Sequence, residues 1–278
     1  MRVKHNPIPP TGTRTLVMGV LNLTPDSFYD GGRFGDPAIA VAHARQLTED
    51  GAHILDIGGE SSRPGAAPLS ADDEWARVGP VLEPVAALGT PISIDTYHAD
   101  TARRALEAGA AMVNDITALQ GDAAMAEVVA AAGCPVVLMH MRGTPETMQD
   151  APKYDDIVDD IRAFFDERIA FAVKAGIVES NIWLDPGFGF GKTVEHNLEL
   201  LRRLGEFKSL GRPVLIGTSN KSTIGQVLGL PPEERNEGTA ATVAIGIANG
   251  ADAIRVHDVK TMARVATMTD AIVRGTHG

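Results

Sequence analysis

Acidic, amide and cationic side chains recur where short apolar runs end in this 278-residue sequence. Asp95, Asn114 and Asp185 present mainly hydrogen-bond acceptors, which suit a flat ring edge that carries adjacent N–H groups. Lys221 adds a cation for ring acceptors, and Arg255 adds positive charge for a phosphate. Chemistry alone therefore indicates a site for a polar heterocycle that carries a phosphate group.

Three more residues extend the phosphate side of this site. Arg63 and His257 add positive charge, and the side-chain oxygen of Asn22 suits a magnesium ion. Polar residues after strands also have purely structural interpretations, since an acid there often caps a helix or forms a turn. That interpretation is open for three acids and for a histidine in a packed core: Asp56, Asp115, Asp258 and His140.

Eight β-rich apolar runs must position these residues. They are "TLVMGVLNL", "HILDIGGES", "PISIDTY", "MVNDIT", "PVVLMHM", "IWLDPG", "PVLIGTS" and "AIRVHD". Each is followed by a stretch with helical spacing, such as residues 36–51 and 99–110. This alternation predicts an α/β fold, a single (β/α)8 TIM barrel over residues 1–278, with residues 1–14 as an N-terminal lead-in and the active site at the C-terminal ends of the strands.

An open doubly wound sheet is the competing fold. Such a fold usually carries a glycine-rich phosphate loop after its first strand, and "VLNLTPDSF" has no such glycines. The stretch "GQVLGLPPEERNEGTAATVAIGIANG" predicts two helical pieces around a proline break. The barrel is therefore the preferred prediction.

Composition limits the classes of partner. A formal net charge of -11 argues against broad nucleic-acid binding, and 5% aromatic residues supply few stacking platforms. We expect no membrane association and a cytoplasmic location, because no apolar stretch approaches the roughly 18 residues of a spanning helix. Cys134 is the only cysteine, so no intrachain disulfide is possible, and its apolar neighbours predict a packed core residue.

Seven strings in fixed order carry a family resemblance. They are "MGVLNLTPDSFYDGG", "DIGGESSRPGA", "SIDT", "VNDI", "MHMRGTPETMQ", "LDPGFGFGK" and "RVHDV". Together they resemble the dihydropteroate synthases of the folate pathway, over about residues 15–275. The resemblance implies a TIM-barrel transferase that joins 6-hydroxymethyl-7,8-dihydropterin diphosphate to p-aminobenzoate and releases pyrophosphate with the help of magnesium. It also implies a homodimer and inhibition by sulfonamides.

The resemblance assigns residues to each part of the substrates. The expected pterin-binding residues are Asp95, Asn114, Met139, Asp185, Gly217 and Lys221. The expected diphosphate-binding residues are Asn22, Arg63, Arg255 and His257, with Asn22 as the magnesium ligand. The expected p-aminobenzoate-binding residues are Phe28, Ser62, Arg63, Pro64, Phe190 and Ser222. The expected catalytic residues are Asp95, Lys221, Arg255 and His257.

We expect an SN1-like reaction, because a dihydropterin can delocalise a cation while the aniline nitrogen is a weak nucleophile. One departure weakens the match: "TSNKS" places Asn220 where the family usually has arginine. Two alternatives stay open on that account. One is a pterin-binding paralogue without catalysis, and the other is a corrinoid methyltransferase that uses a methylated tetrahydropterin and needs no diphosphate site.

Overall fold

The computed structural model describes residues 6–24, 37–61, 68–144, 147–148 and 152–275. Strands and helices alternate along these residues. The strands are β1 (Leu16–Asn22), β2 (Ile54–Gly58), β3 (Ile92–Asp95), β4 (Met112–Asp115), β5 (Val136–Met139), β6 (Ile182–Asp185), β7 (Leu215–Ile216) and β8 (Ala253–Val256). The α-helices of the described ranges are α1 (Pro37–Glu49), α2 (Ala71–Ala86), α3 (Ala99–Glu107), α4 (Met125–Ala132), α5 (Ile157–Lys174), α6 (Val194–Arg202), α7 (Ser222–Leu228), α8 (Asn236–Ala248) and α9 (Val259–Arg274).

The eight strands form one parallel sheet in the order β6-β5-β4-β3-β2-β1-β8-β7. The first and last strands of that order also meet, because Leu184 on β6 bridges Val214 just before β7. The N–H of Leu184 donates to the carbonyl of Pro213 at 2.9 Å. This contact nearly closes the sheet into a barrel, so the predicted (β/α)8 fold is confirmed. The open doubly wound sheet is excluded.

The lower part of the barrel interior is apolar. Its buried side chains are Leu16, Met18, Ile54, Met112, Val137, Trp183, Leu215 and Ala253, with Ile8 packed against them. The outer faces of the strands pack against the helices in a larger apolar cluster. Burial on both faces explains why the strands are almost continuously apolar in sequence.

Successive side chains of a strand alternate between its two faces, so residues two positions apart point the same way. Asp56, Asn114 and Asp185 each lie two residues beyond an apolar interior residue: Ile54, Met112 and Trp183. Asp95 pairs in register with Asn114, and Met139 pairs with Asp185. The carboxyl ends of the strands therefore carry a polar layer above the apolar interior.

Two local predictions are also confirmed. Helix α7 ends at Leu228 and α8 begins at Asn236, with the short 3-10 turn Pro232–Glu234 between them. Cys134 is buried with 9% of its surface exposed, as a packed core residue should be.

Across the described ranges, no helix is both long and apolar enough to cross a membrane. The single-domain boundaries stay a prediction.

Candidate active site

Arg255 connects the polar layer across the barrel. Its Nε donates to Asp56 Oδ2 at 2.5 Å, and its Nη2 donates to Asp95 Oδ2 at 2.6 Å. Asn114 Nδ2 donates to the same oxygen of Asp56 at 3.2 Å. Arg255 on β8 thereby joins side chains from β2 and β3, and Asp56 connects Asn114 on β4 to them. Asp56 is fully buried, so the guanidinium supplies the charge that the carboxylate needs.

Asp95 is the second carboxyl that pairs with Arg255. Burial raises its pKa to about 7, while the charge of Arg255 opposes that rise. The negative charges of Asp56 and other nearby carboxylates raise the pKa further. The charge of Asp95 therefore changes near neutral pH, which is the range in which an active-site group can exchange a proton.

Asp185 ends β6 and is 6% exposed. Its Oδ1 accepts a hydrogen bond from the N–H of Gly187 at 2.7 Å. Burial raises the pKa of Asp185, whereas that hydrogen bond and the charges of Lys221, Lys192 and Arg255 lower it. Asp185 is thus a carboxyl held in a fixed position and surrounded by cations.

The glycine-rich loop after β6 needs its glycines for a physical reason. Gly187, Gly189 and Gly191 have φ angles of +70°, +86° and +62°, in the left-handed region. A Cβ on Gly187 would lie 1.9 Å from the carbonyl oxygen of His140. Such a contact is impossible, so only glycine lets this loop pack against the end of β5.

Asn197 fastens the glycine-rich loop to α7. Its Oδ1 accepts from the N–H of Gly189 at 2.8 Å, and its Nδ2 donates to Thr223 Oγ1 at 2.9 Å. Lys221, the N-cap residue of α7, then places its Nζ 4.0 Å from the centre of the Phe190 ring. This cation–π contact joins the two loops at the mouth of the barrel.

The residue before Lys221 is Asn220, where the sequence departs from the family pattern. Its φ angle is +57°, a left-handed conformation that asparagine tolerates better than most residues. Its N–H donates to Thr239 Oγ1 at 3.2 Å, and Arg235 Nη1 donates to its carbonyl at 3.1 Å. The backbone of Asn220 therefore has a defined place, while its side chain is exposed.

The remaining predicted residues lie around the same mouth. Met139 ends β5 and packs with Ile116, Met148 and Phe190 in a small apolar cluster. A cavity of about 400 Å³ opens beside Met139 and Ile116. Gly217 lies directly after β7, and a Cβ there would meet Arg255 Cβ at 3.7 Å. Ser222 is exposed and begins α7.

His257 lies just beyond β8 and is exposed. Its Nδ1 is 3.0 Å from Ser219 Oγ, and its backbone N–H donates to the same oxygen at 3.3 Å. These contacts hold the imidazole at the rim rather than in the interior. His257 is therefore placed farther out than the Arg255 guanidinium, toward the entrance.

Asn22 ends β1, is half-buried and pairs in register with Gly58. Its amide oxygen is a suitable hard ligand, but the described residues contain no group of three or more His, Cys, Asp or Glu that could hold a metal. Magnesium commonly takes one or two protein ligands together with substrate phosphates and water. The residues present fit a magnesium ion of that kind.

The structure separates the open interpretations of the other polar residues. Asp115 forms a turn, accepting from the N–H groups of Thr117 at 2.8 Å and Leu119 at 2.9 Å. Asp258 caps α9 through the N–H of Thr261 at 3.0 Å. Asp56 is different, because it lies in β2 and binds Arg255. The turn-forming interpretation of Asp56 is wrong.

Residues that the resemblance assigns to different parts of the substrates lie in contact. The resemblance assigns Arg255 to the diphosphate and Asp95 to the pterin, and these two side chains form an ion pair. Sequence reasoning left the role of Asp56 open and gave no role to Lys192, whose signal is a lysine that closes the glycine run. The p-aminobenzoate and diphosphate candidates Phe28, Ser62, Arg63 and Pro64 lie outside the described residues.

Replacing Gly187 by alanine tests the packing of the glycine-rich loop. We expect the free energy of unfolding to fall by about 2 to 5 kcal/mol, from left-handed strain plus the clash with the His140 carbonyl. Gly133→Ala is the control, because Gly133 has a φ angle of +64° but a Cβ added there would meet no atom within 4 Å. That change should cost only about 1 to 2 kcal/mol. Equal losses in urea unfolding would refute the close approach at Gly187.

Comparison with known proteins agrees with this geometry. Residues 18–257 match the family model described as pterin binding enzyme. The dihydropteroate synthase of Bacillus subtilis is 51% identical over 261 residues, which cover 94% of this chain and 89% of that protein. That of Escherichia coli K12 is 47% identical and covers 92% of this chain and 90% of its own length.

Solved structures extend the likeness to three dimensions. A Yersinia pestis dihydropteroate synthase in a sulfonamide drug complex is 44% identical, with a TM-score of 0.90, covering 95% of this chain and 96% of that chain. A Xanthomonas albilineans dihydropteroate synthase with 4-aminobenzoic acid is also 44% identical, with a TM-score of 0.88 and 93% coverage of both chains. The chain therefore belongs to the pterin binding enzyme family and, within it, to the dihydropteroate synthases.

Proposed function

We propose that this transferase condenses 6-hydroxymethyl-7,8-dihydropterin diphosphate with p-aminobenzoate, giving 7,8-dihydropteroate and pyrophosphate for tetrahydrofolate biosynthesis. The meeting of Asp185, Asn114, Lys221 and the Arg255–Asp95 pair at one end of the barrel carries the proposal. Relatives solved with 4-aminobenzoic acid and with 7,8-dihydropteroate support the choice of substrates.

Pterin recognition is assigned to the buried polar layer. The Asp185 carboxylate accepts from the two adjacent N–H groups of the aminopyrimidinone edge, as a fixed carboxylate can. Asn114 offers both a donor and an acceptor, and Lys221 donates to a ring acceptor. Met139 and Phe190 belong to the apolar cluster that lies beside these groups and suits the faces of a flat ring. Gly217 leaves space near Arg255.

Diphosphate recognition is assigned to the outer cations. Nε and Nη2 of Arg255 are held by Asp56 and Asp95, so Nη1, which takes part in neither contact, is the donor that we assign to the diphosphate. His257 lies at the rim, where it can donate to a terminal phosphate oxygen. Arg63 completes the predicted set. Positive charge here stabilises the charge that develops on departing pyrophosphate.

Asn22 would hold magnesium together with oxygens of the diphosphate. When bound, magnesium neutralises charge on the diphosphate and makes pyrophosphate a better leaving group. The protein side of this arrangement is one amide oxygen, so metal affinity should depend on the presence of the substrate. Such a dependence is consistent with Asn22 being the one magnesium ligand that we assign to the protein.

We assign an SN1-like order of bond changes. The C–O bond between the pterin methylene and the diphosphate breaks first, and its electron pair leaves with pyrophosphate. The dihydropterin ring delocalises the resulting cation, while Asp95 and Asp185 supply nearby negative charge. The amino nitrogen of p-aminobenzoate then forms the C–N bond and releases a proton to water. A strong general base is not required.

The p-aminobenzoate site is assigned to Phe190, Ser222 and four residues outside the described ranges: Phe28, Ser62, Arg63 and Pro64. Phe190 is fixed by its contact with Lys221, whose Nζ lies 4.0 Å from the centre of the ring. Ser222 is exposed at the start of α7, next to the same lysine. The sulfonamide complex of the Yersinia pestis relative supports competition at this site.

We also propose a homodimer. Exposed apolar side chains occur on α7, α8 and α9, including Val227, Leu228, Ile245, Met268 and Ile272. An apolar surface of this kind suits a contact with a second copy. Sedimentation equilibrium should give twice the chain mass, and a monomer at micromolar concentration would contradict the proposal. The cytoplasmic location stays a prediction.

Pyrophosphate release by the purified protein tests the reaction. We expect release and formation of dihydropteroate when dihydropterin diphosphate, magnesium and p-aminobenzoate are supplied together, and loss of turnover when the metal is chelated. Pyrophosphate release without product when p-aminobenzoate is omitted would support early C–O cleavage. Pterin binding without any turnover would instead indicate a paralogue that no longer catalyses.

Replacing Arg255 by alanine tests the division between pterin and diphosphate contacts. We expect affinity for the diphosphate substrate to fall by about 1.5 to 3 kcal/mol more than affinity for 6-hydroxymethylpterin, because a charged hydrogen bond is lost. Arg203→Ala is the control, since Arg203 follows α6 and its ion pairs are with Asp156, Glu199 and Glu206, none of which is assigned to a substrate. Calorimetry measures both affinities. Equal losses for the two ligands would contradict the assignment of Nη1.

A further inference from the structure

Lys192 closes the run "GFGFGK" and is not among the residues assigned to the substrates. Its side chain is only 3% exposed, although lysine is almost never fully buried without partners. Nζ lies 3.0 Å from His140 Nδ1, and it donates to the carbonyl oxygens of Phe190 at 2.9 Å and His140 at 3.3 Å. Three acceptors around one nitrogen match the three donors of an ammonium group.

These contacts join two walls of the proposed pterin site. His140 directly follows Met139 at the end of β5, and Phe190 belongs to the loop after β6. Both Met139 and Phe190 lie in the apolar cluster assigned to the ring faces. A single buried ammonium therefore fixes the distance between the two loops that must hold a flat ring.

Lys192 also lies close to the turn that positions Asp185. Its Nζ is 3.4 Å from the place that a Cβ on Gly187 would occupy, and the N–H of Gly187 donates to Asp185 Oδ1. Lys192 approaches from the protein interior, whereas Lys221 reaches the mouth from the start of α7. The charges of both lysines lower the pKa of the Asp185 carboxyl.

The charged groups around this pair come from several elements. Asp185 faces Lys192, Lys221 and Arg255. Lys192 faces Asp185, Lys221, Arg142 and the His140 ring. Burial lowers the pKa of Lys192 to about 7, against the charge of Asp185, which raises it. Burial lowers the pKa of His140 to about 2, so the imidazole is neutral and adds no charge.

We propose that Lys192 is a positioning residue for the pterin, whose ammonium ties the loops after β5 and β6 together and supplies the buried positive charge behind Asp185. This inference rests on the proposed function, because it depends on Asp185 binding the pterin. Lys192 makes no contact with substrate in this assignment and acts through Asp185 and the two loops.

The two parts of this role have different pH signatures. Asp185 accepts the N–H groups of the pterin only as a carboxylate, and loss of the Lys192 charge raises its pKa further. A variant without that charge should bind pterin poorly near neutral pH and recover as the pH rises. The native protein loses the same charge at high pH, so the two affinities should converge. Loss of the loop contact alone weakens binding equally at every pH.

Calorimetric titration with 6-hydroxymethylpterin between about pH 6 and about pH 9 separates these effects. We expect Lys192→Met to weaken binding about tenfold at neutral pH, because the change removes both the positive charge near Asp185 and the contacts that join the two loops, with a gap that narrows as the pH rises. Lys192→Gln keeps a donor for the Phe190 carbonyl but no charge, so it should show the same pH trend with a smaller loss. Lys174→Met, at an exposed position on α5, should leave affinity unchanged.

A double-variant cycle tests whether Lys192 acts through Asp185. In an Asp185→Asn background, Lys192→Met should lose its pH-dependent effect and keep only the smaller loop effect. A loss that is independent of pH and equal in both backgrounds would overturn the electrostatic role, and unchanged affinity would overturn the whole inference. If Lys192→Met does not fold, Lys192→Gln carries the same comparison. Absence of pterin binding by the native protein would instead overturn the proposed function.

Discussion

A balance of buried charge at the open end of the barrel is the constraint on which the rest of the site depends. Three carboxylates face three cations there: Asp56, Asp95 and Asp185 with Arg255, Lys192 and Lys221. Removing a charged side chain from water costs several kcal/mol, and an unpaired buried charge is strongly destabilising. The opposite charges beside each buried side chain of this set therefore stabilise its ionised form. The same charges suit a ligand that brings its own donors, acceptors and phosphates.

The backbone makes this balance possible in two ways. The parallel strands bring their carboxyl ends to one face of the barrel. Acids and amides that lie two residues after the apolar interior positions therefore come together at that face. The glycine-rich loop then lets Asp185 turn toward the ring site while its backbone packs against His140. Sequence patterns, packing and electrostatics thus all place the ligand site at the carboxyl ends of the strands. Function follows from that location rather than from the barrel fold itself, which serves many chemistries.

Much of this arrangement could be predicted from sequence, for identifiable reasons. The eight apolar runs and their helical spacers predicted the barrel, and the acids that end runs predicted the positions of Asp95 and Asp185. Asp56 could not be placed, because strands buried on both faces show no alternation that separates inward from outward residues. Lys192 could not be recognised as buried, since a lysine after a glycine loop usually lies in solvent.

The backbone conformation of one loop also could not be predicted from the sequence. Ala118 and Leu119 have φ angles of +51° and +65°, which no residue preference predicts for alanine and leucine. The loop is held there because Asp115 accepts from its N–H groups and Arg168 Nε donates to the carbonyl of Ala118 at 2.9 Å. One of these partners, Arg168, is 50 residues from Ala118 in the chain. The residues next to Ala118 in the sequence therefore do not predict its left-handed conformation.

A crystal structure of the protein with 6-hydroxymethylpterin tests the central claim most directly. The account predicts the aminopyrimidinone edge within about 2.7 to 3.0 Å of both Asp185 carboxylate oxygens, with the ring beside Met139 and Phe190. It also predicts that Lys192 keeps its contacts with the carbonyl oxygens of His140 and Phe190. A pterin bound elsewhere in the barrel, or one that leaves the Asp185 carboxylate without a ring N–H partner, would contradict the account.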